Sequence, residues 1–340
     1  MKILYGYMAG ANLGHWISQY GNRDENHWDN YIQETDIARM KSWGLDHIRL
    51  PVDYFIFEKD ESPGVYLDKG LAYIDKTILW CKKYSMNMVL DLHHAPGYFF
   101  GDGNKNLLFT DLASQKRFLD IWKMFAERYK NEGDNLIFEL LNELVWSDSS
   151  SWNELWQKAV ECILKISPQR RIIVGGNNYN SINELKNLTV SENDRVLYTF
   201  HFYEPFLFTH QRAPWVENNR RWQKSVTYPY NPEDHLEYYG GRLPDSYKGR
   251  KLIDKNFIES YMSPAFEFSE KYGKTLYCGE YGVISNADDE SAVRWLSDMA
   301  DVLLNHGIGR AVWSYRGFSS ITSNDNQSFN PKMVEAISRK

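Results

Sequence analysis

Two acids stand where an apolar run stops. Leu136-Ile137-Phe138-Glu139-Leu140-Leu141 is closed by Asn142 and Glu143, and Thr275-Leu276-Tyr277-Cys278-Gly279 is closed by Glu280. A buried-type strand normally finishes in turn residues, so a carboxyl at its end is aimed at whatever lies beyond the sheet edge. Either acid alone reads equally well as a cap for the following helix or as half of a surface ion pair. Taken together they suggest paired-carboxyl catalysis, in which one group donates a proton while the other attacks or activates water.

What must position them is an alternation of strand-length apolar runs with amphipathic segments of helix length, the pattern of βα units around a parallel sheet. The apolar runs fall at 7–13, 47–50, 87–92, 136–141, 171–175, 196–200, 275–279 and 310–313. Helical periodicity is clearest at 33–43, 69–84, 114–129, 151–165, 254–272 and 289–306, with Gly44 and Gly273 where helix C-terminal glycines belong. A fifth unit at 181–188 offers barely two turns. The reading is an α/β fold, a TIM (β/α)8 barrel forming a single catalytic domain over residues 1–340. Such a barrel takes about 250 residues, which leaves about 90 for loops. Most lie at 203–253, rich in Pro, Gly, Tyr, Trp and charge without clear periodicity, and expected to form an insertion after strand six on the active-site face.

The C-terminal strand ends of a parallel barrel share one face. On this scheme Arg49 closes strand two, His93 and His94 follow strand three, Asn142 and Glu143 strand four, His201 and Tyr203 strand six, Glu280 strand seven and Trp313 strand eight. Glutamates from strands four and seven can hydrolyse a glycosidic bond: one protonates the leaving oxygen, the other attacks the anomeric carbon or activates water. Their separation in space, not in sequence, chooses between attack and water activation. Arg49 could brace a carboxylate and lower its pKa, or serve the fold alone. The histidines invite a metal reading, but there is no His-x-His pair at the first strand and no lysine at the fourth; neutral histidines also serve as hydrogen-bonding groups, and no metal is expected. For His94 a structural role is the simpler one, and Trp313 reads as a stacking platform in preference to a core plug.

Composition narrows the partners. The 340 residues carry a formal net charge of −6 with Lys and Arg scattered, which argues against nucleic acid, and no long uncharged apolar segment is present to span a membrane. Cys81, Cys162 and Cys278 lie far apart without Cys-x-x-Cys spacing, so free thiols are expected. The first residues lack the apolar stretch of a secretory signal, consistent with action inside the cell or with a signal already removed. Aromatic residues reach 15%, with 12 Trp and 23 Tyr, more than a core of this size needs; flat rings suit the apolar face of a pyranose.

Several motifs are specific. Asn12-Leu13-Gly14-His15-Trp16-Ile17-Ser18-Gln19-Tyr20, His47-Ile48-Arg49-Leu50-Pro51, Leu90-Asp91-Leu92-His93-His94-Ala95-Pro96-Gly97, Gly175-Gly176-Asn177-Asn178-Tyr179-Asn180 and Tyr277-Cys278-Gly279-Glu280-Tyr281-Gly282 span nearly the whole chain. In these it resembles the family 5 glycoside hydrolases, the endoglucanase C type of cellulase. The resemblance implies a retaining mechanism with Glu143 as acid/base and Glu280 as nucleophile, without metal or cofactor. It implies that Asn142 bonds the 2-hydroxyl of the cleaved sugar, that His201 and Tyr203 orient the carboxyls, that Arg49 and His93 support the same subsite, and that Trp313 stacks on the sugar. Trp215, in the insertion, would reach over the cleft. Where many members continue their acid/base motif with Pro, this chain has Leu144, a departure on the leaving-group side. Glu280, braced by Arg49, is expected to stay ionised while Glu143 holds its proton. The expected substrate is a β-1,4-glucan or mixed-linkage β-glucan polysaccharide or oligosaccharide, cut internally in an open cleft by a monomer. The alternatives are the same mechanism on mannan or xylan and, from another class, a glycan-binding barrel without catalysis, against which the presence of both carboxyls argues.

Overall fold

Eight short parallel strands close on themselves in sequence order. In the computed structural model, which describes residues 2–19, 24–323 and 325–340, they are β1 (Ala9–Asn12), β2 (His47–Asp53), β3 (Asn87–His94), β4 (Leu136–Glu139), β5 (Arg171–Gly175), β6 (Val196–Phe202), β7 (Leu276–Tyr281) and β8 (Gly309–Val312). Ala9 of β1 pairs with Arg310 of β8 and completes the ring. Tyr20, the last residue of the first motif, lies outside the described residues.

Helices follow where the periodicity placed them. Glu34–Ser42, Asp68–Lys83, Leu112–Arg128, Ser150–Ile166, Lys255–Tyr272 and Asp289–Asn305 each bury one apolar stripe against the barrel. Asp111, Asp254 and Asp288 cap three of them by accepting bonds from first-turn amides. Gly273 ends Lys255–Tyr272 at φ 62°, a conformation that costs glycine little. The fifth unit shrinks to the 3-10 turn Ile182–Asn187.

Strand ends depart from the apolar runs in a consistent way. β2, β3, β6 and β7 continue through polar residues to Asp53, His94, Phe202 and Tyr281, so Arg49, His93, His201 and Glu280 sit within strands. A parallel ladder uses only backbone groups, and a polar side chain may stay inside if it is bonded. β4 does the opposite and stops at Glu139, which leaves Asn142 and Glu143 on the loop beyond it. That loop is still fastened, because Leu140 donates its amide to Ile173 and Asn142 donates its amide to Leu92.

Between β6 and Lys255–Tyr272 the chain forms the short helices Phe206–Thr209 and Glu217–Arg221, the 3-10 turns Pro232–His235 and Asp245–Tyr247, and a bridge from Tyr230 to Ile253. Its buried residues, among them Val226, Tyr228, Tyr230 and Tyr247, belong to the same apolar cluster as the barrel helices. Tyr247 donates to Glu204 at 3.0 Å, which ties this segment to the residue after Tyr203. The three cysteines are free thiols, with Cys81 and Cys278 buried.

Candidate active site

Period-two alternation decides what enters the barrel. Val89 and Ile137 point inward in the lower layer, so Asp91 and Glu139, two residues on, do the same one layer higher. Arg49 meets them there. Its Nε and Nη2 donate to the two oxygens of Glu139 at 2.7 and 2.9 Å, a bidentate fork. Nη2 also donates to Asn142 Oδ1 at 2.9 Å, and Nη1 donates to Asn12 Oδ1 and Glu280 Oε1, both at 2.9 Å. Every guanidinium donor is thereby used. Asp91 Oδ2 lies 3.1 Å from Nη2, and the side chains of Arg49, Asp91 and Glu139 are completely buried.

Asn142 is oriented from both ends. Asp91 accepts from His93 Nδ1 at 2.7 Å, so the bare His93 Nε2 accepts from Asn142 Nδ2 at 3.3 Å, while the amide oxygen faces Arg49. The Glu280 carboxyl is held by Arg49 on one oxygen and by the Tyr203 hydroxyl on the other at 2.9 Å. His201 Nδ1 lies 2.9 Å from Glu143 Oε1 and 3.5 Å from Glu280 Oε2. Ligand atoms of Glu143, His201 and Glu280 all fall within 4.8 Å of one another. Glu143 itself has φ 28°, a strained backbone for a residue with a side chain.

Burial dominates the ionisation of both acids. It pushes Glu143 up to about 8 and Glu280 to about 7, the latter against the pull of His201 and Arg49. Arg49 therefore does not cancel the cost of burial at Glu280. One guanidinium is shared among Asp91, Glu139 and Glu280, and its attraction does not offset the loss of water. Asp91 rises to about 7 and Glu139 is raised for the same reason. Burial acts in the other direction on the histidines, lowering His201 to about 4 and His93 well below its usual range, so both are neutral hydrogen-bonding groups.

A cavity of about 630 Å³ opens above this network. Glu143, Glu280, Tyr203, Trp313 and Trp215 line it, while Arg49, His93, Asn142 and His201 lie buried. Trp313 stacks with its ring 5.8 Å from His93 at 15°. Trp215 is 56% exposed and meets Phe318, in the segment after β8, at 5.8 Å. His94 also lines the cavity, with Nδ1 3.1 Å from Asp53, so its role is not purely internal. Asp91, Glu139 and Asn12 were missed as site residues; the signal for the two acids was alternation, since each follows an inward apolar residue by two. Phe318 had no such signal.

Glu143, His201 and Glu280 are the one group among the described residues that offers three candidate metal donors. The hydrogen bonds disfavour that use. Both ring nitrogens of His201 are already engaged, Nδ1 with Glu143 and Nε2 with Asn180.

A parallel eight-stranded barrel with two close carboxyls in an aromatic-lined cleft defines a class of sugar-cleaving (β/α)8 hydrolase. Residues 13–319 match the family described as Cellulase (glycosyl hydrolase family 5), and the chain belongs to it. It is 43% identical to Endoglucanase C of Acetivibrio thermocellus over 99% of both chains, and 35% identical to Cellodextrinase A of Ruminococcus flavefaciens over 93% of this chain and 87% of that one. Among solved structures, endoglucanase Cel5A from the hyperthermophilic Thermotoga maritima superposes with a TM-score of 0.80 at 25% identity, covering 98% of this chain and 97% of that one. The protein is a glycoside hydrolase of the cellulase family.

Proposed function

We propose that the protein is a retaining endo-β-1,4-glucanase that cleaves internal bonds of cellulose-type and mixed-linkage β-glucans by double displacement. The observation that carries this reading is the closeness of the carboxyls, one oxygen of each falling within 4.8 Å of the other. Retaining enzymes hold their pair about 5–5.5 Å apart, whereas inverting ones leave about 6.5–9.5 Å for a water.

In the first step Glu280 forms a bond to the anomeric carbon as the bond to the leaving oxygen breaks, and that oxygen takes the Glu143 proton. In the second, Glu143 removes a proton from water, the water oxygen bonds the anomeric carbon, and Glu280 is released. The surroundings of the two carboxyls support this division: burial raises both, and at Glu280 it is opposed by His201, Arg49 and the Tyr203 hydroxyl. Asn142, oriented by Arg49 and His93, has an amide hydrogen left for the 2-hydroxyl; Tyr203 and His201 align the carboxyls; Trp313 and Trp215 supply stacking faces. We assign residues 203–253 to an insertion that brings Trp215 to the cleft. All these groups come from one chain, so a monomer suffices, and no step calls for a metal.

Mannan is the second reading, favoured by a structure of Thermotoga maritima Cel5A in complex with mannotriose as well as one with cellobiose. Reducing-end release from carboxymethylcellulose, lichenan and galactomannan, measured side by side for the wild type and Glu280→Gln, tests both readings. Release from the two glucans that vanishes in the variant is expected, with the β-anomer appearing first by proton NMR. Initial α-product would overturn retention, and release mainly from galactomannan would replace the substrate.

A further inference from the structure

The Gly175–Asn180 motif takes no part in the reaction as described, yet it carries unusual strain. Asn178, Tyr179 and Asn180 have φ of 50°, 59° and 54°, three consecutive residues with side chains in the left-handed region. Such a run persists only where the surroundings hold it. Here the restraints lead to the loop after Glu143. Asn177 accepts from the Trp146 amide at 3.0 Å and donates to the Trp146 carbonyl at 2.8 Å, and the Tyr179 amide donates to Leu144 at 3.0 Å.

At the end of the run, Asn180 is completely buried and places Nδ2 3.3 Å from His201 Nε2. Its Oδ1 has no hydrogen-bond partner. The amide rests against the bare Cα of Gly175, where a Cβ would come within 2.2 Å of Oδ1. In this orientation the amide presents Nδ2 to Nε2 and leaves its carbonyl oxygen buried without a partner. An N–H donated to Nε2 means that Nε2 carries no proton, and a neutral imidazole then has its proton on Nδ1.

We propose that Asn180 is a positioning residue that fixes the tautomer of His201, so that a single Nδ1–H is shared between the two carboxyls. The proposal rests on the acid/base and nucleophile roles given above and explains how one histidine serves both. Before the first step Glu280 carries the charge and draws the N–H. Once Glu280 is bonded to the sugar, Glu143 is ionised and takes it. The other tautomer would turn a lone pair toward whichever carboxyl is charged. The groups facing the imidazole are Glu143 and Glu139 from the β4 segment, Glu280 from β7, Arg49 from β2, His93 from β3 and Asn180 after β5. Of these only Asn180 addresses Nε2.

Nitrogen-15 NMR of side-chain-labelled histidine tests this directly, with His201 assigned by its loss in His201→Gln. A protonated Nδ1 and a bare Nε2 are expected in the wild type and also in inactive Glu280→Gln, so this readout stands even if the roles of the carboxyls are wrong; that failure would show in the anomer and reducing-end assays instead. In Asn180→Asp, a carboxylate beside Nε2 should draw a proton to that nitrogen. With an added negative charge nearby and no Nδ1–H to favour ionised Glu143, the alkaline limb of kcat/KM on an aryl cellobioside should then move up by a pH unit or more, with kcat falling at least tenfold. Finding Nε2–H in the wild type, or a pH profile of Asn180→Asp that superimposes on the wild type, would overturn the proposal.

Discussion

The interior of the barrel changes character within two residues. Its lower layer, formed by Val89, Ile137, Ile173, Leu197, Tyr277 and Ala311, is apolar and buried. Above it lie Asp91 and Glu139, two residues beyond Val89 and Ile137, together with Arg49 from β2 and His201 farther along β6. The lower layer contributes stability by removing apolar surface from water. The upper layer gives stability back, since its acids are harder to ionise than in water. The two are coupled physically: a dry floor lowers the local dielectric, strengthens each charged contact above it, and brings Glu143 and Glu280 toward neutrality, where proton transfer can run both ways.

The sharpest way to break this contrast is at Arg49. Arg49→Met should abolish activity and cost about 3–5 kcal/mol in urea unfolding, because Asp91 and Glu139 are left buried without their cation. A loss below about 1 kcal/mol would mean the acids are already protonated in the resting protein and the upper layer is not held by charge.

One layer down, Ile137→Ala should cost about 2–5 kcal/mol through the cavity it leaves. Its kcat/KM, measured well below the melting temperature, should stay within about threefold of the wild type, as expected if this layer serves packing. A collapse of kcat in a folded variant would show that the layers are not separable.

The smallest effect sharpens the electrostatic side. With the folded pKa of Glu143 raised to about 8, proton binding favours the folded state fully below the unfolded value of about 4.3, and this contribution is lost as pH rises to the folded value. Glu143→Gln removes that dependence while keeping an acceptor for His201. It should match the wild type near pH 4 and exceed it at pH 9 by on the order of 1–3 kcal/mol. Parallel urea midpoints at the two pH values would show instead that the Glu143 carboxyl is effectively solvated.

Much of the architecture was legible because it is written in local patterns. Apolar runs and amphipathic segments placed all eight strands and the main helices, and Glu143 and Glu280 announced themselves by interrupting such runs. Asp91 and Glu139 did not, because each sits inside a run that reads as strand either way; only counting by twos from Val89 and Ile137 would have set them inward. The segment between β6 and Lys255–Tyr272 gave no period because short turns and tyrosine hydroxyls, such as Tyr247 on Glu204, do the work of long helices there. Asn180 was visible only as part of a motif, since its orientation depends on a histidine 21 residues away.

By itself the sequence determined the order of elements, the two acids and the aromatic supply of the cleft, all of which depend on side-chain type and short-range periodicity. Only the tertiary structure decided how one arginine is divided among Asp91, Glu139 and Glu280, and therefore that burial prevails over its attraction at Glu280. Charge sharing and desolvation are sums over neighbours from distant strands, and those sums exist only once the barrel has closed.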